Sequence, residues 1–257
     1  HIGNPSRAIV RVGQPVKKYE TVAIAQGHVS VNQHAPTSGV VISVPDTAER
    51  RSTNNSSSVK TGQTQSEANA QVNSEMIVIS CDGLDEPTDP LPEFILPADA
   101  GRYSEDLKQD LYQRIAVAGI IGMGGAGFPA HVKLKEGMLS EVRELIINAV
   151  ECDPLTRSDS ALLAAQAETF ILAIQMLGCL LEAQRTVLAV SSSANLDKLA
   201  KRAAAANIDL LLAPDRYPAG SEKQLIKIAT DKELPLNSLT INIGVVCFNV
   251  TTVIDIY

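Results

Sequence analysis

Apolar positions along this chain keep two different periods, and the change falls near residue 100. In the first part they come in short β-branched runs at 8–12, 21–25 and 40–44. Between the runs lie Gly13-Gln14-Pro15, Gln26-Gly27-His28 and Pro36-Thr37-Ser38-Gly39, residues that set turns. Runs this short at this spacing predict a small β barrel or sandwich. Residues 46–75 break the pattern, with three Ala and two Val as their only apolar residues. Burial cannot offset the entropy of ordering such a segment, so a mobile loop is expected. Residues 76–80 resume as a strand that closes the β unit, and four prolines within 87–97 read as a linker.

From Ser104 the period becomes helical. Ser104 can cap a helix whose first turn carries Glu105 and Asp106, the sign the helix dipole favours there. Leu107, Leu111 and Ile115 form its buried stripe, and Gly119 ends it. After a glycine-rich stretch the pattern alternates. Strands are predicted at 145–150, 186–191, 208–213 and 244–248, and helices at 160–183, 196–206 and 220–230, with Asn249 opening a last helix. Such alternation predicts βαβ units and a parallel sheet covered on both faces. The expected class is α/β, with a small β domain at 1–86, a linker at 87–103 and a larger α/β domain at 104–257.

Composition narrows the picture. Trp is absent and aromatic residues make up 4 %, so the cores must be aliphatic. A net charge of −7 argues against a general nucleic-acid binder, which would carry a basic patch, but not against a nucleotide, which needs only local donors. Cys81, Cys152, Cys179 and Cys247 are too scattered for a paired metal motif or a disulfide framework, so no metal site is expected. The apolar run 169–181 is too short to span a bilayer and contains Gln175, so no direct membrane span is expected. The first residue is His1, and the sequence reads as a piece cut from a longer one.

The densest chemical signal is Gly119-Ile-Ile-Gly122-Met-Gly124-Gly125-Ala-Gly127-Phe128-Pro129, followed by His131 and Lys133. Its Gly122-x-Gly124-x-x-Gly127 spacing matches the dinucleotide fingerprint as a string. That fingerprint follows a strand and opens a helix. Here the preceding segment is helical, and Pro129 permits a helix only from its first turn. A second kind of nucleotide cradle is the better expectation: glycines let backbone approach a flat or anionic group, and Phe128 offers a ring face. The predicted carboxyl ends of the strands add Asn148, Glu151, Cys152 and Asp153, the stretch 217–222, and Asn249, Thr251 and Thr252. In parallel sheets ligands bind outside those ends. Glycine N–H groups, acids, amides, hydroxyls and Lys133 in one crevice would suit a sugar-phosphate ligand.

The stretches GMGGAGFPAHVKL, INAVECDP, RYPAGSEKQL and GVVCFNV, in this order and spacing, resemble the C subunit of the Rnf (Rsx) electron-transport complex and, more distantly, the flavoprotein subunit of respiratory complex I. The resemblance covers nearly the whole chain. It implies a barrel-sandwich hybrid domain of the lipoyl type at the front. It implies an FMN- and NADH-binding α/β domain behind it, with [4Fe–4S] clusters only in a further region beyond Tyr257. A lipoyl-type carrier needs a lysine at its hairpin tip, but 26–33 contains none, so covalent lipoylation or biotinylation is not expected.

Carried over by motif, the resemblance implies that Gly122, Gly124, Gly125 and Gly127 line the flavin and nicotinamide cleft. Phe128 would stack on the NADH base and Lys133 would reach its phosphates. Asn148 and Glu151 would contact the flavin's ribityl and ring, with Asp153 on the NADH ribose. Gly220 and Glu222 would approach the flavin from the other side, and Asn249 would meet the FMN phosphate. Three positions depart from the usual pattern: Asp153 where Glu is common, Asp159 as a single acid where two are common, and Thr251 where Gly is common. No residue is expected to act as an acid, base or nucleophile. The implied function is NADH-to-FMN electron input to a membrane-bound complex, on the cytoplasmic face of a bacterial inner membrane, with other subunits and NADH as partners. The alternative is a non-catalytic docking module with a weak or empty cleft. A third, an ordinary Rossmann dehydrogenase, requires a strand directly before Gly122.

Overall fold

A computed structural model of the chain describes residues 1–45, 76–92, 94, 103–151, 153, 157–192, 197–236 and 238–257. The polar segment 46–75, Cys152 and much of the expected linker lie outside the described residues. Two compact units emerge. The smaller comprises residues 5–26 and 32–93; the larger comprises 94–257 together with 1–4 and 27–31.

The smaller unit is built from two three-stranded antiparallel sheets. In one, β3 (Thr21–Ile24) pairs with β1 (Arg7–Ala8) and β4 (Gln33–His34); in the other, β5 (Gly39–Ser43) pairs with β2 (Pro15–Val16) and β6 (Val78–Cys81). Val10, Val16, Val22, Ala35 and Val41 form its core. Along β5 the period is two: Val41 is fully buried while its neighbours Val40 and Ile42 face out. At Gly39 a Cβ would stand 2.1 Å from the Ser80 carbonyl oxygen, so the pairing with β6 requires glycine.

Two expectations change here. The run 8–12 pairs only over its start. Pro15, read as a turn residue, and Gln33, read as part of a hairpin tip, each open a two-residue strand that pairs with a longer one. Two residues are too few to show a period of their own; the strand opposite decides. Pro15 is tolerated because β2 lies at a sheet edge. His34 lies in β4, half-buried, and burial lowers its imidazole pKa.

In the larger unit four parallel strands, β7 (Glu144–Ala149), β8 (Arg185–Ser191), β9 (Asp209–Ala213) and β10 (Val245–Asn249), run in the order β10-β7-β8-β9. The sheet is buried on both faces. Leu145 and Ile147 join one core, and Ile146 between them joins the other. This is why Leu145, Ile146 and Ile147 stand as consecutive apolar residues in β7. Among the described residues seven α-helices surround the sheet: α1 (Glu105–Ala118), α2 (Ala130–Met138), α3 (Ser158–Ala165), α4 (Ala167–Leu180), α5 (Asp197–Ala205), α6 (Glu222–Thr230) and α7 (Val250–Ile256). Leu225 and Ile226 of α6 pack on one face, while Leu111, Leu134, Ile174 and Val253 of α1, α2, α4 and α7 pack on the other.

Helix α1 starts and stops as its residues dictate. The Ser104 hydroxyl accepts from the Leu107 amide at 3.3 Å, and Gly119 takes the left-handed cap at φ 69°. Helix α2 is set by Pro129 immediately before it, whose fixed φ suits a helix start. The single helix expected at 160–183 is two helices bent by 97°. Gln166 sits between them in a non-helical conformation, donating to the Leu162 carbonyl and accepting from the Phe170 amide. It closes one helix and opens the next. No single helix among the described residues is long and apolar enough to cross a membrane.

Candidate functional site

The glycine segment joins α1 to α2, so it follows a helix and not a strand; the Rossmann arrangement is excluded. It folds as a narrow loop. The Gly122 amide donates to the Phe128 carbonyl at 2.7 Å, and the Ala130 amide to the Ile120 carbonyl at 2.9 Å. Gly125 (φ +110°) and Gly127 (φ +61°) adopt conformations that side chains rarely take. Two contacts hold the tip against the far end of the chain. The Met123 amide donates to Thr252 Oγ1 at 2.9 Å, and Thr252 is fully buried. A Cβ on Gly124 would lie 3.4 Å from Asn249 Cβ. At Gly125 nothing stands within 4 Å of that position, so its backbone faces open space. The Gly127 carbonyl accepts from the Ile2 amide at 3.2 Å.

A second group gathers around Lys133 on α2. Its Nζ donates to the Cys247 carbonyl at 2.8 Å and pairs with Glu222 Oε1 at 3.1 Å, at the start of α6. The same ammonium lies 5.5 Å from the centre of the Phe248 ring. Asn148, at the end of β7, donates from Nδ2 to the Gly220 carbonyl at 2.9 Å and accepts from the Val150 amide at 3.1 Å. Burial pushes the Cys247 thiol up to about 12, aided by the Glu222 charge, so it stays protonated at neutral pH.

A third group stands where β7 and β10 end side by side, Asn148 in register with Asn249. Glu151 caps α3 from a distance: its carboxylate accepts from the Asp159 amide at 2.9 Å, the Ser160 amide at 3.2 Å and the Ser160 hydroxyl. Asn249 caps α7 by accepting from the Thr251 amide at 2.9 Å. Its Nδ2 donates to Asp159 Oδ2 at 3.0 Å, and Thr251 Oγ1 donates to Asp159 Oδ1 at 3.2 Å. Asp159 is half-buried, and burial, with Glu151 nearby, raises its carboxyl above the usual range despite those two donors.

The structure therefore brings Gly124, Asn249 and the Glu151 helix cap into one connected cluster, and Lys133, Glu222, Asn148 and Gly220 into adjoining positions at the same strand ends. Phe128 is half-buried at the base of the loop, and Asp153 is exposed beyond Glu151. Three pairings escaped the sequence reading. Thr252 anchors the loop, the Cys247 carbonyl anchors Lys133, and Asp159 joins the starts of α3 and α7. Asp159 stands just before the helix predicted at 160–183, and nothing in the sequence marks its partner ninety residues away. His131, on α2, packs edge-on against Tyr112, and its Nδ1 is buried without a partner among the described residues. A separate cavity of about 380 Å³ lies at the amino ends of β8 and β9, lined by Gly178, Cys179, Thr186 and Asn207 among others.

Comparison with known proteins agrees with this architecture. Residues 115–257 match the family described as the Nuo51 FMN-binding domain, and residues 1–66 match the RnfC barrel sandwich hybrid domain. The chain is 32 % identical over 262 residues to the C subunit of the ion-translocating oxidoreductase complex of Pseudomonas aeruginosa, covering all of this chain and 30 % of that protein. It is 32 % identical to the protein of the same name from Rhodobacter capsulatus, covering 98 % of this chain and 45 % of that one. It is 29 % identical to the C subunit of the proton-translocating ferredoxin:NAD(+) oxidoreductase complex of Clostridium ljungdahlii, covering all of this chain and 51 % of that protein. The chain thus spans between about a third and a half of these relatives. The crystal structure of an NAD+-reducing [NiFe]-hydrogenase in the H2-reduced state shares the fold. Its TM-score is 0.50 at 23 % identity, over 58 % of this chain and 30 % of that one.

Proposed function

The chain belongs, over residues 115–257, to the family of Nuo51 FMN-binding domains, and on that premise we propose that it is the NADH-binding, flavin-dependent electron-input segment of a membrane-bound electron-transport complex. The observation that carries the reading is the open backbone of Gly125 in a loop tied to the end of β10 by Thr252, with Lys133 beside the same strand. Side-chain-free backbone over an exposed slot admits a planar ring system. Lys133, Asn249 and Thr251 supply donors for phosphate and sugar oxygens, and Glu151 and Glu222 supply acceptors for ring N–H and hydroxyl groups. The donor set fits a flavin mononucleotide.

When bound, the flavin supplies acceptance of a hydride from a reduced nicotinamide. The chain's own part is to bind and orient. Gly122, Gly124, Gly125 and Gly127 form the floor, and Phe128 offers a face for the adenine. Lys133, released from Glu222, neutralises a phosphate. Asn148, Glu151, Gly220 and Glu222 fix the flavin, and Asp153 reaches a ribose hydroxyl. Asn249 meets the flavin phosphate. No side chain is required to move a proton for the transfer itself. Delivery to [4Fe–4S] clusters in a further region, other subunits as partners, and a peripheral place on the cytoplasmic face of an inner membrane complete the proposal. So does the division into 1–86, 87–103 and 104–257.

Titrating the purified chain with FMN tests this directly. Quenching of flavin fluorescence that saturates at micromolar FMN is expected, followed by bleaching of the flavin absorbance on adding NADH without oxygen. Absence of any quench at tens of micromolar FMN overturns it. One observation favours the second reading, a docking module with a weak cleft: Asn249 and Thr251 already hold the Asp159 carboxylate.

A further inference from the structure

We propose that His131 is an acid-sensitive latch for the glycine loop. The loop and the two segments joined to it, 1–4 and 27–31, stay closed while this imidazole is neutral and open when it gains a proton. Both segments belong to the larger unit. Hydrogen bonds define the closed arrangement. The Ile2 amide donates to the Gly127 carbonyl at 3.2 Å, and the Asn4 amide donates to the Val29 carbonyl at 2.8 Å. The Ser30 hydroxyl, fully buried, donates to the Asn4 carbonyl at 2.9 Å. Segment 1–4 thus lies between Gly127 on one side and 27–31 on the other.

His131 follows that loop directly, as the second residue of α2. Its Nδ1 is buried and has no hydrogen-bond partner among the described residues. A neutral imidazole can leave one ring nitrogen without a proton. An imidazolium carries N–H on both, so a proton here creates a charged donor with no acceptor. The groups set against the ring bring no countercharge. From α1, the uncharged ring of Tyr112 meets it edge-on, with centres 6.4 Å apart. The charges that act on it are those of His28, from 27–31, and Lys135, one turn along its own helix. The start of α2 adds the positive end of the helix dipole. Burial first, and then His28 and Lys135, hold the imidazole below the ordinary histidine value. The same repulsion acts back on His28, which is exposed and sits in the segment that opening releases. Opening hydrates the His131 ring and separates the two imidazoles. An imidazole lowered in the closed form favours that form fully above the ordinary value of about 6.5, and progressively less as pH falls below it.

Hydrogen exchange read by mass spectrometry on the purified chain tests this without any ligand. Exchange in 27–31 and 119–131 is compared at about pH 7.5 and about pH 5.5, corrected for the direct effect of pH on exchange chemistry, with β7 as the internal reference. Opening of both segments should be about tenfold more frequent at the lower pH, with β7 unchanged. His131→Phe keeps an aromatic ring against Tyr112 and takes no proton, so its opening should vary by less than about twofold over the same range. Should that variant fold poorly, His28→Gln removes the facing imidazole and must shrink the wild-type change. Exchange in the wild type that does not respond to pH overturns the proposal. So does a response in His131→Phe as large as in the wild type, or in His28→Gln where that variant stands in, because the titrating group would then lie elsewhere. Loss of protection shared equally by β7 overturns it too, since that reports unfolding of the whole unit. No flavin enters the measurement, so its outcome is separate from that of the FMN titration.

Discussion

The two ends of the parallel sheet differ in kind. At the amino ends, Arg185 bridges Asp209 at 2.7 Å and Glu144 at 3.3 Å, and a cavity of about 380 Å³ opens between α4, β8 and the approach to β9. Those ion pairs tie together the starts of three neighbouring strands, and they complete themselves. At the carboxyl ends amides, acids, hydroxyls and a lysine from five segments meet: the glycine loop, α2, and the starts of α3, α6 and α7. The polar side chains converge at the end of the sheet away from that cavity. In a parallel sheet the chain leaves every strand at the same end, so helix starts and loops gather there whether or not a void is large.

Variants at the two ends can break or sharpen this contrast. The largest effect is expected from Gly124→Val, which places a branched side chain against Asn249 and into the slot. Flavin quenching should vanish at FMN concentrations that saturate the wild type, with little change in melting temperature because the position is exposed. Next, Lys133→Met removes charge-assisted hydrogen bonds worth about 1.5–3 kcal/mol each, so nucleotide affinity should fall about ten- to a hundredfold in the same titration. Thr186→Val, at the cavity, should leave it within about twofold; a comparable loss there would relocate the site.

Smaller effects concern stability. The Asp159 carboxyl has a raised pKa in the fold, so the native state holds its proton more tightly than the unfolded chain does. Its contribution is most favourable below the ordinary carboxyl value and is lost as pH rises through the raised one. Asp159→Asn should therefore be more stable than wild type at neutral pH, with a flatter profile on the acid side, as read by melting temperature against pH. Least of all, Arg185→Ala removes surface pairs worth at most about 1 kcal/mol, a shift of about 2–4 °C or less that salt should erase.

Sequence carried most of the larger unit. The cap at Ser104, the stop at Gly119 and the apolar runs of β7, β8 and β9 each obey a local rule, and each element appears within a residue or two of its predicted place. What escaped depends on partners distant in the chain. The break at Gln166 has no glycine or proline to mark it; the chain turns there so that α3 starts beneath the Glu151 carboxylate while α4 buries Phe170, Ile174 and Leu177. Strands of two residues cannot announce themselves. Within the candidate site, residue types at the strand ends were legible. Their pairing was not, because Lys133 with Glu222, and Asp159 with Asn249, are choices made by tertiary packing.

The bond from the Met123 amide to Thr252 spans 129 positions of sequence. During synthesis the glycine segment leaves the ribosome long before its anchor exists. Until Thr252 has emerged and α7 has docked on α4, that tip lacks its tie, so the candidate site is among the last features of this unit to be completed. Damage near residue 252 would thus be felt at residue 123.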